Sequence, residues 1–361
     1  MVIYFIVLAI VVATVHLANR PRLYRMERLL LFVFAFAVLV LVAGLRSDRV
    51  GTDADAYTMA YRQTQTLEDV TSGQFEMGFL FLCWLGRLVT DDYIALFVLV
   101  GAMVSACFLW GIRRYSVNPA LSVFVLLASG AVYYSFNGMR QGIAIALFFL
   151  AIGAVYRRKF LLFLASVAVG YLFHTSALMT LPVYFLVPRK NSLKYNILVF
   201  GAVLVAVLFF SELANLAGRL NPRYLAYAAP TEGARGLAYA GFLVSMSVFF
   251  LYFKRRVLQY RPLYDFLLNL YLLGLLVTLV AVAMGTGASG IMRLSSYFSV
   301  TQVLLWPIVF VNLQSHRDRR AFLWVFLLGY LLYHALTLQA FSQMVPYRFN
   351  PSVSAWFSTL L

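Results

Sequence analysis

Arginine and carboxylate side chains set between long apolar stretches are what this sequence offers for chemistry, together with one histidine, His174, in an almost wholly apolar run. Arg46, Asp48, Arg49, Asp53 and Asp55 crowd into LRSDRVGTDADAY, directly after an apolar stretch. Two aspartates two positions apart supply the hard oxygens that a divalent cation favours. The same residues with Gly51 also suit a solvated turn closed by Asx side chains, and a third reading has them facing a substrate. Tyr57 lies in the same segment, and Glu76 follows in FEMGFLFL. Arg140, with Gln141, stands in NGMRQGIAIAL at a very short connection between two apolar runs. An ionisable group at the hydrocarbon boundary is costly and reads as functional, with snorkelling to the interface as the structural alternative.

His174 is followed by Thr175 and Ser176. An imidazole with a pKa near ~6.5 can act as a base or hydrogen-bond a phosphate at neutral pH, whereas its structural role would be to cap a turn. Arg293 in GTGASGIMRLSSYF and Arg348 in VPYRF either bind an anion or anchor the chain at an interface, with Tyr297, Tyr347 and Phe349 as an aromatic belt. Arg219, Arg223 and Arg235 read as exposed loop residues.

The elements that must position these groups are membrane helices. With 63% hydrophobic residues, 12% charged residues and a mean hydropathy of +0.85 over 361 residues, an ordinary soluble fold is excluded. The apolar runs are long enough for helices to cross about 30 Å of hydrocarbon, and none alternates as a membrane β-strand does. The fold class is therefore an all-α, polytopic transmembrane helix bundle, taken as a single integral membrane domain over 1–361. Residues 2–18 lack a positive leading region and a small-residue cleavage site, so they read as a retained first span.

Charge gives the orientation. Nineteen of the 29 basic residues fall in six clusters, at 20–28, 113–114, 157–159, 189–194, 254–261 and 317–320. Placing all six in the cytoplasm requires paired crossings between them. The result is twelve spans: 2–18, 29–45, 93–112, 119–136, 141–156, 160–173, 177–187, 195–212, 237–253, 263–284, 294–313 and 321–340. Both termini are then outside, as are the loops 46–92 and 213–236 and the tail 341–361. All four lysines fall inside, the ten remaining basic residues are all arginine, and ten of the thirteen acidic residues lie outside. Arginine's rigid fork suits bidentate binding of phosphate or carboxylate, which lysine cannot match. Residues 75–89 are too short for a comfortable crossing and are expected to form an interfacial or re-entrant outer helix. The run 160–187 must fold back, and its polar interruption at His174 to Ser176 sets the turn, recessed below the outer surface.

Several functions drop out. Net charge of +16 is spent on orientation clusters, with no extended basic face for nucleic acid. Cys83 and Cys107 sit in apolar stretches and suggest neither disulfide nor metal site. No GxxxxGK[ST] or HExxH motif occurs. Carboxylates are almost absent from the spans, which weakens a proton-coupled transporter.

In order and content, GTDADAY, FEMGFLFL, NGMRQGIAIAL and RRKFLLFLASVAVGYLFHTSALMTLPVY resemble the EpsG family of Wzy-like polysaccharide polymerases, continuously from Gly51 to Tyr184 and then at MRLSSYF and PYRF. The resemblance implies a glycosyltransferase at the bacterial inner (cytoplasmic) membrane, its active site facing the periplasm or exterior. It would join undecaprenyl-pyrophosphate-linked oligosaccharide units into O-antigen, exopolysaccharide or capsule. The implied partners are that lipid-linked oligosaccharide, membrane lipid and a chain-length regulator protein, with no cofactor and no metal. His174 is the first choice for the base, with Asp53, Asp55 and Glu76 as competitors. Arg140 and Arg293, then Arg46 and Arg348, are assigned to pyrophosphate, with Tyr57, Gln141 and Ser176 lining the substrate. Ala54 stands where the family pattern usually has an aromatic after the first aspartate of the GTD segment. The competing readings are a metal-dependent lipid-linked glycosyltransferase using Asp53 and Asp55, and a flippase or exporter of lipid-linked sugars.

Overall fold

The computed structural model describes residues 1–188, 190–208, 236–284, 291–313, 316–341 and 344–360. Arg189, Arg219, Arg223, Arg235 and the glycine-rich stretch before Arg293 lie outside the described residues. All regular elements among the described residues are helical. Among the described residues, seven helices are long and apolar enough to cross a membrane: Arg25–Gly44, Ile94–Tyr115, Met139–Tyr156, Leu237–Lys254, Arg261–Ala283, Met292–Val311 and Arg319–Gln339. The chain is an integral membrane protein. The other five expected spans correspond to helices of fewer than 18 residues, so their lengths do not establish twelve crossings.

The chain divides into two compact units. The first comprises Met1–Val155, Lys159–Leu181 and Gln314–Leu361. It begins with α1 (Val2–Ala18), α2 (Arg25–Gly44), α3 (Ala54–Gln63), α4 (Leu67–Ser72), α5 (Met77–Arg87) and α6 (Ile94–Tyr115). It continues with α7 (Pro119–Ala128), α8 (Tyr134–Asn137), α9 (Met139–Tyr156) and α10 (Phe160–Phe173). Its core is built where α2 packs on α1 and α6, with Ala35, Leu39, Phe97, Val104 and Phe108 buried. Small residues set the spacing: Gly101 lies so close to Ala43 that an added Cβ would come within 2.7 Å of the alanine methyl.

The expected single span at 119–136 is two helices. Asn118 caps α7 by accepting from the Leu121 N–H, Pro119 starts it, and the chain turns at Gly130, whose φ of +79° suits glycine. The short α8 then leads into α9. Hydropathy alone cannot register such a break, because apolar residues continue through it. α10 ends where the sequence predicts, at Phe173. His174 is extended, Thr175–Thr180 forms a 3-10 turn, and Val183–Leu186 is a further helical turn.

Arg46 closes one end of the unit. Its side chain is 2% exposed, between the rings of Phe97 (3.9 Å) and Phe136 (4.3 Å), and donates to the carbonyls of Ala43 at 2.6 Å and Phe136 at 3.5 Å. Burial pushes its pKa down to about 10, with Tyr347 and Tyr4 opposing, so it stays charged at neutral pH. Beside it the segment near the C-terminus pairs with the chain. Arg46 forms an antiparallel bridge with Phe349, the Ser47 N–H donates to the Arg348 carbonyl at 2.8 Å, and the Asn350 N–H to the Leu45 carbonyl at 2.8 Å. Asn350 and Ser352 reach the Asp92 carboxylate at 2.9 and 2.7 Å.

The second unit is Tyr156–Arg158 and Pro182–Leu313. The helix Leu237–Lys254 packs on Arg261–Ala283. Fully buried Asn269 donates to the Pro188 carbonyl at 2.8 Å and accepts from Asn191, which also takes the Lys254 ammonium. Polar groups buried in helical proteins are paired in this way because an unpaired one costs ~1–3 kcal/mol.

Arg46 therefore gives a stability prediction. Arg46→Ala should lower unfolding stability of the detergent-purified protein by about 2 to 4 kcal/mol, through a cavity and two orphaned carbonyls. Arg348→Ala, at an exposed side chain, should stay within about 0.5 kcal/mol in the same thermal melts.

Candidate active site

The segments singled out for their chemistry meet one another in the first unit. Gly51 has φ +110°, and a Cβ there would lie 2.6 Å from the Phe136 carbonyl oxygen, so only glycine lets the GTD turn rest on the end of α8. The next N–H, from Thr52, donates to the Asn137 side chain at 3.0 Å. Asn137 and Gly138 lead into α9, with Arg140 as its second residue. Gly142, one turn on, lies against Ser135, where a Cβ would come within 2.8 Å of that serine's own. The glycines on either side of Arg140 thus let α9 turn back sharply on α8, and Tyr134 secures the corner by donating to Gln141 Oε1 at 2.6 Å.

Glu76 arrives from a different direction. It is the N-cap residue of α5, with its carbonyl accepting from Phe79 (3.0 Å) and Leu80 (3.1 Å), while its side chain makes no cap bond. The start of α5 presses on the end of α10: a Cβ on Gly78 would lie 2.7 Å from the Leu172 carbonyl oxygen. That approach carries the Glu76 carboxylate to the turn after α10, where Oε1 accepts the Thr175 N–H at 3.4 Å. The other oxygen, Oε2, forms an ion pair with Arg140. The side chains are 21% exposed for Arg140 and 17% for Glu76, so the pair is largely withdrawn from solvent. The Arg140 guanidinium lies 4.4 Å from the Phe75 ring centroid and 6.0 Å from that of Tyr57, within cation–π range, and it also hydrogen-bonds the Tyr57 side chain. Tyr57 is held in turn by Phe79, at 5.3 Å between ring centroids.

His174 and Arg140 are linked through Glu76 and the Thr175 backbone. The His174 ring has a defined role set by its neighbours: Nδ1 accepts the Ser176 N–H at 3.1 Å and is 2.7 Å from Ser176 Oγ. A backbone N–H can only donate, so Nδ1 carries the lone pair and the proton of the neutral ring is on Nε2. In this arrangement His174 presents a donor.

The remaining candidates are placed as follows. Asp53 is the N-cap residue of α3, Asp55 lies exposed in its first turn, and the Asp55 carboxylate accepts from the Ala56 N–H. Among the described residues no three His, Cys, Asp or Glu side chains gather into a set that could hold a metal ion. The Arg46 guanidinium is enclosed by aromatic rings and carbonyls, and Arg348 has an exposed side chain on a backbone that pairs with residue 47. Arg293 belongs to the second unit, half-buried in a 3-10 turn that precedes the helix Ser295–Ser299. Sequence reasoning missed Phe75, Asn137 and the Thr175 N–H. The first two begin quoted motifs, but the Asn137 contact spans 85 residues of chain and the Thr175 contact 99.

The family model for the EpsG family matches residues 29–349. The chain belongs to that family. Its members are membrane proteins of the Wzy-like polysaccharide polymerase type. Neither a curated protein nor a solved structure matches the chain. The matched range takes in all of the segments that meet around Glu76 and Arg140, and extends past Arg348.

The close approach of α5 to α10 can be tested by itself. Gly78→Ala must push backbone from backbone and should cost about 1 to 3 kcal/mol of stability. Gly241→Ala, where a Cβ would meet nothing within 4 Å, should be neutral or slightly stabilising in the same melts.

Proposed function

We propose that this EpsG-family protein polymerises undecaprenyl-pyrophosphate-linked oligosaccharide units into a surface polysaccharide, on the outer face of the cytoplasmic membrane and without a metal. The observation that carries this reading is a largely buried arginine at the start of a membrane helix, whose partner carboxylate also accepts the N–H of Thr175, the residue that follows His174. Such a group of donors suits a diphosphate leaving group, whose charge grows as the sugar departs.

The reaction needs three things of the protein. Arg140 holds the diphosphate, and His174 Nε2–H adds a hydrogen bond to its oxygens. A carboxylate takes the proton of the acceptor hydroxyl as that oxygen bonds to the anomeric carbon. The bond from that carbon to the phosphate oxygen breaks, and its electron pair leaves with polyprenyl diphosphate. Because the His174 Nδ1 lone pair is engaged by Ser176, the reading assigns the base role to Glu76 rather than to His174. Tyr57 and Phe75 offer aromatic faces beside Arg140 for the sugar. Arg293, Asp53 and Asp55 keep supporting places, toward the lipid-linked substrate and the acceptor.

Arg140→Ala should abolish chain elongation in cells lacking the native gene while the protein still inserts into the membrane, read by gel analysis of polymer length alongside immunoblotting of membranes. Polymer of normal length from that variant would overturn the assignment. His174→Gln keeps a donor and should retain turnover within about tenfold, whereas His174→Ala should lose on the order of a hundredfold. If Gln is as inactive as Ala, His174 acts through its basic imidazole instead.

A further inference from the structure

In this structure Glu76 occupies the position that a bound anion would take. Its two oxygens engage the Arg140 guanidinium and the Thr175 N–H, the donors that the polymerase reading gives to a diphosphate. Two features make this carboxylate displaceable. Its side chain makes no cap bond to α5, and the Glu76 carbonyl already serves that helix end, so the side chain can swing away without unwinding the helix. Arg140 is held independently, by the rings of Phe75 and Tyr57 and by its place in the first turn of α9, so it stays when Glu76 leaves.

We propose that Glu76 is an internal counter-ion which the donor's diphosphate displaces, and that only the displaced carboxylate serves as base. The inference rests on the polymerase reading and adds an order of events to it. While Glu76 is paired, both of its oxygens accept hydrogen bonds and neither is placed to take a hydroxyl proton. When the diphosphate arrives it takes over Arg140 and the Thr175 N–H, and the carboxylate moves toward the acceptor sugar. It then receives the hydroxyl proton as the oxygen–carbon bond forms and the diphosphate leaves with the electron pair of the broken bond. Acceptor activation therefore waits for a loaded donor, which protects the site from spending its base on water.

The test separates binding from turnover. Farnesyl diphosphate, which carries no sugar, is titrated into the purified full-length protein in detergent. Removing a competing internal anion raises the competent fraction, so Glu76→Gln should bind this probe at least about tenfold more tightly than wild type. Arg140→Gln should bind it at least about tenfold more weakly. Glu76→Gln should nonetheless fail to elongate a lipid-linked repeat unit. Unchanged or weaker binding by Glu76→Gln overturns the proposal, as does elongation at the wild-type rate.

A measurement on wild type guards against a folding defect in the variant. Carbodiimide-driven amidation of Glu76, followed by mass spectrometry, should accelerate when the diphosphate is present. Amidation that slows or stays constant overturns the displacement. Tighter binding by Glu76→Gln together with no elongation by wild type would refute the polymerase reading while leaving displacement standing.

Discussion

The Arg140–Glu76 ion pair joins three parts of the first unit that are far apart in sequence: the start of α5, the start of α9 and the turn after α10. Opposite charges removed from water hold together only where geometry is good and their remaining hydrogen-bonding capacity is met. Here Thr175 bonds the carboxylate and Tyr57 and Phe75 face the guanidinium. The demand propagates outward. Gly78 must be small for α5 to approach α10, Gly142 must be small for α9 to lie on α8, and Gly51 must adopt positive φ for the GTD turn to cover that corner. Each glycine serves a backbone approach that brings a charged group to the same place.

A second cation, Arg46, does the opposite work. Sandwiched by two rings and bonded to two carbonyls, it fastens the end of α2 to the residues around Phe349. Arg46 is bonded to fixed backbone carbonyls. Arg140 is paired with a side-chain carboxylate that makes no bond to its own helix end.

Much of the scaffold was legible because apolar length and charge clustering follow the cost of moving groups into lipid. The helix Phe160–Phe173, its end at His174, and helices near 29–45, 237–253 and 263–284 all follow from that cost. The break of 119–136 did not, since transfer energy is blind to backbone direction and Gly130 is one glycine among 22. In the site, Arg140 and His174 stood out by type and position. The pairing of Glu76 with Arg140 was not legible, because nothing in a linear sequence joins residues 64 positions apart, and the hydrogen bond at His174 Nδ1 depends on a local N–H that only folded geometry reveals. Arg46 read as a substrate ligand because its enclosing rings, Phe97 and Phe136, come from distant helices.

On the polymerase reading, one protein, with its own arginine and carboxylate, lengthens a lipid-diphosphate-linked glycan. The direct measurement is product analysis after the purified protein, reconstituted in liposomes, is given a single defined lipid-linked repeat unit with EDTA present. A ladder of longer lipid-linked products should form, with one polyprenyl diphosphate released for each linkage made. Translocation of the unit across the bilayer with no lengthening, or lengthening that stops when EDTA is added, would contradict it.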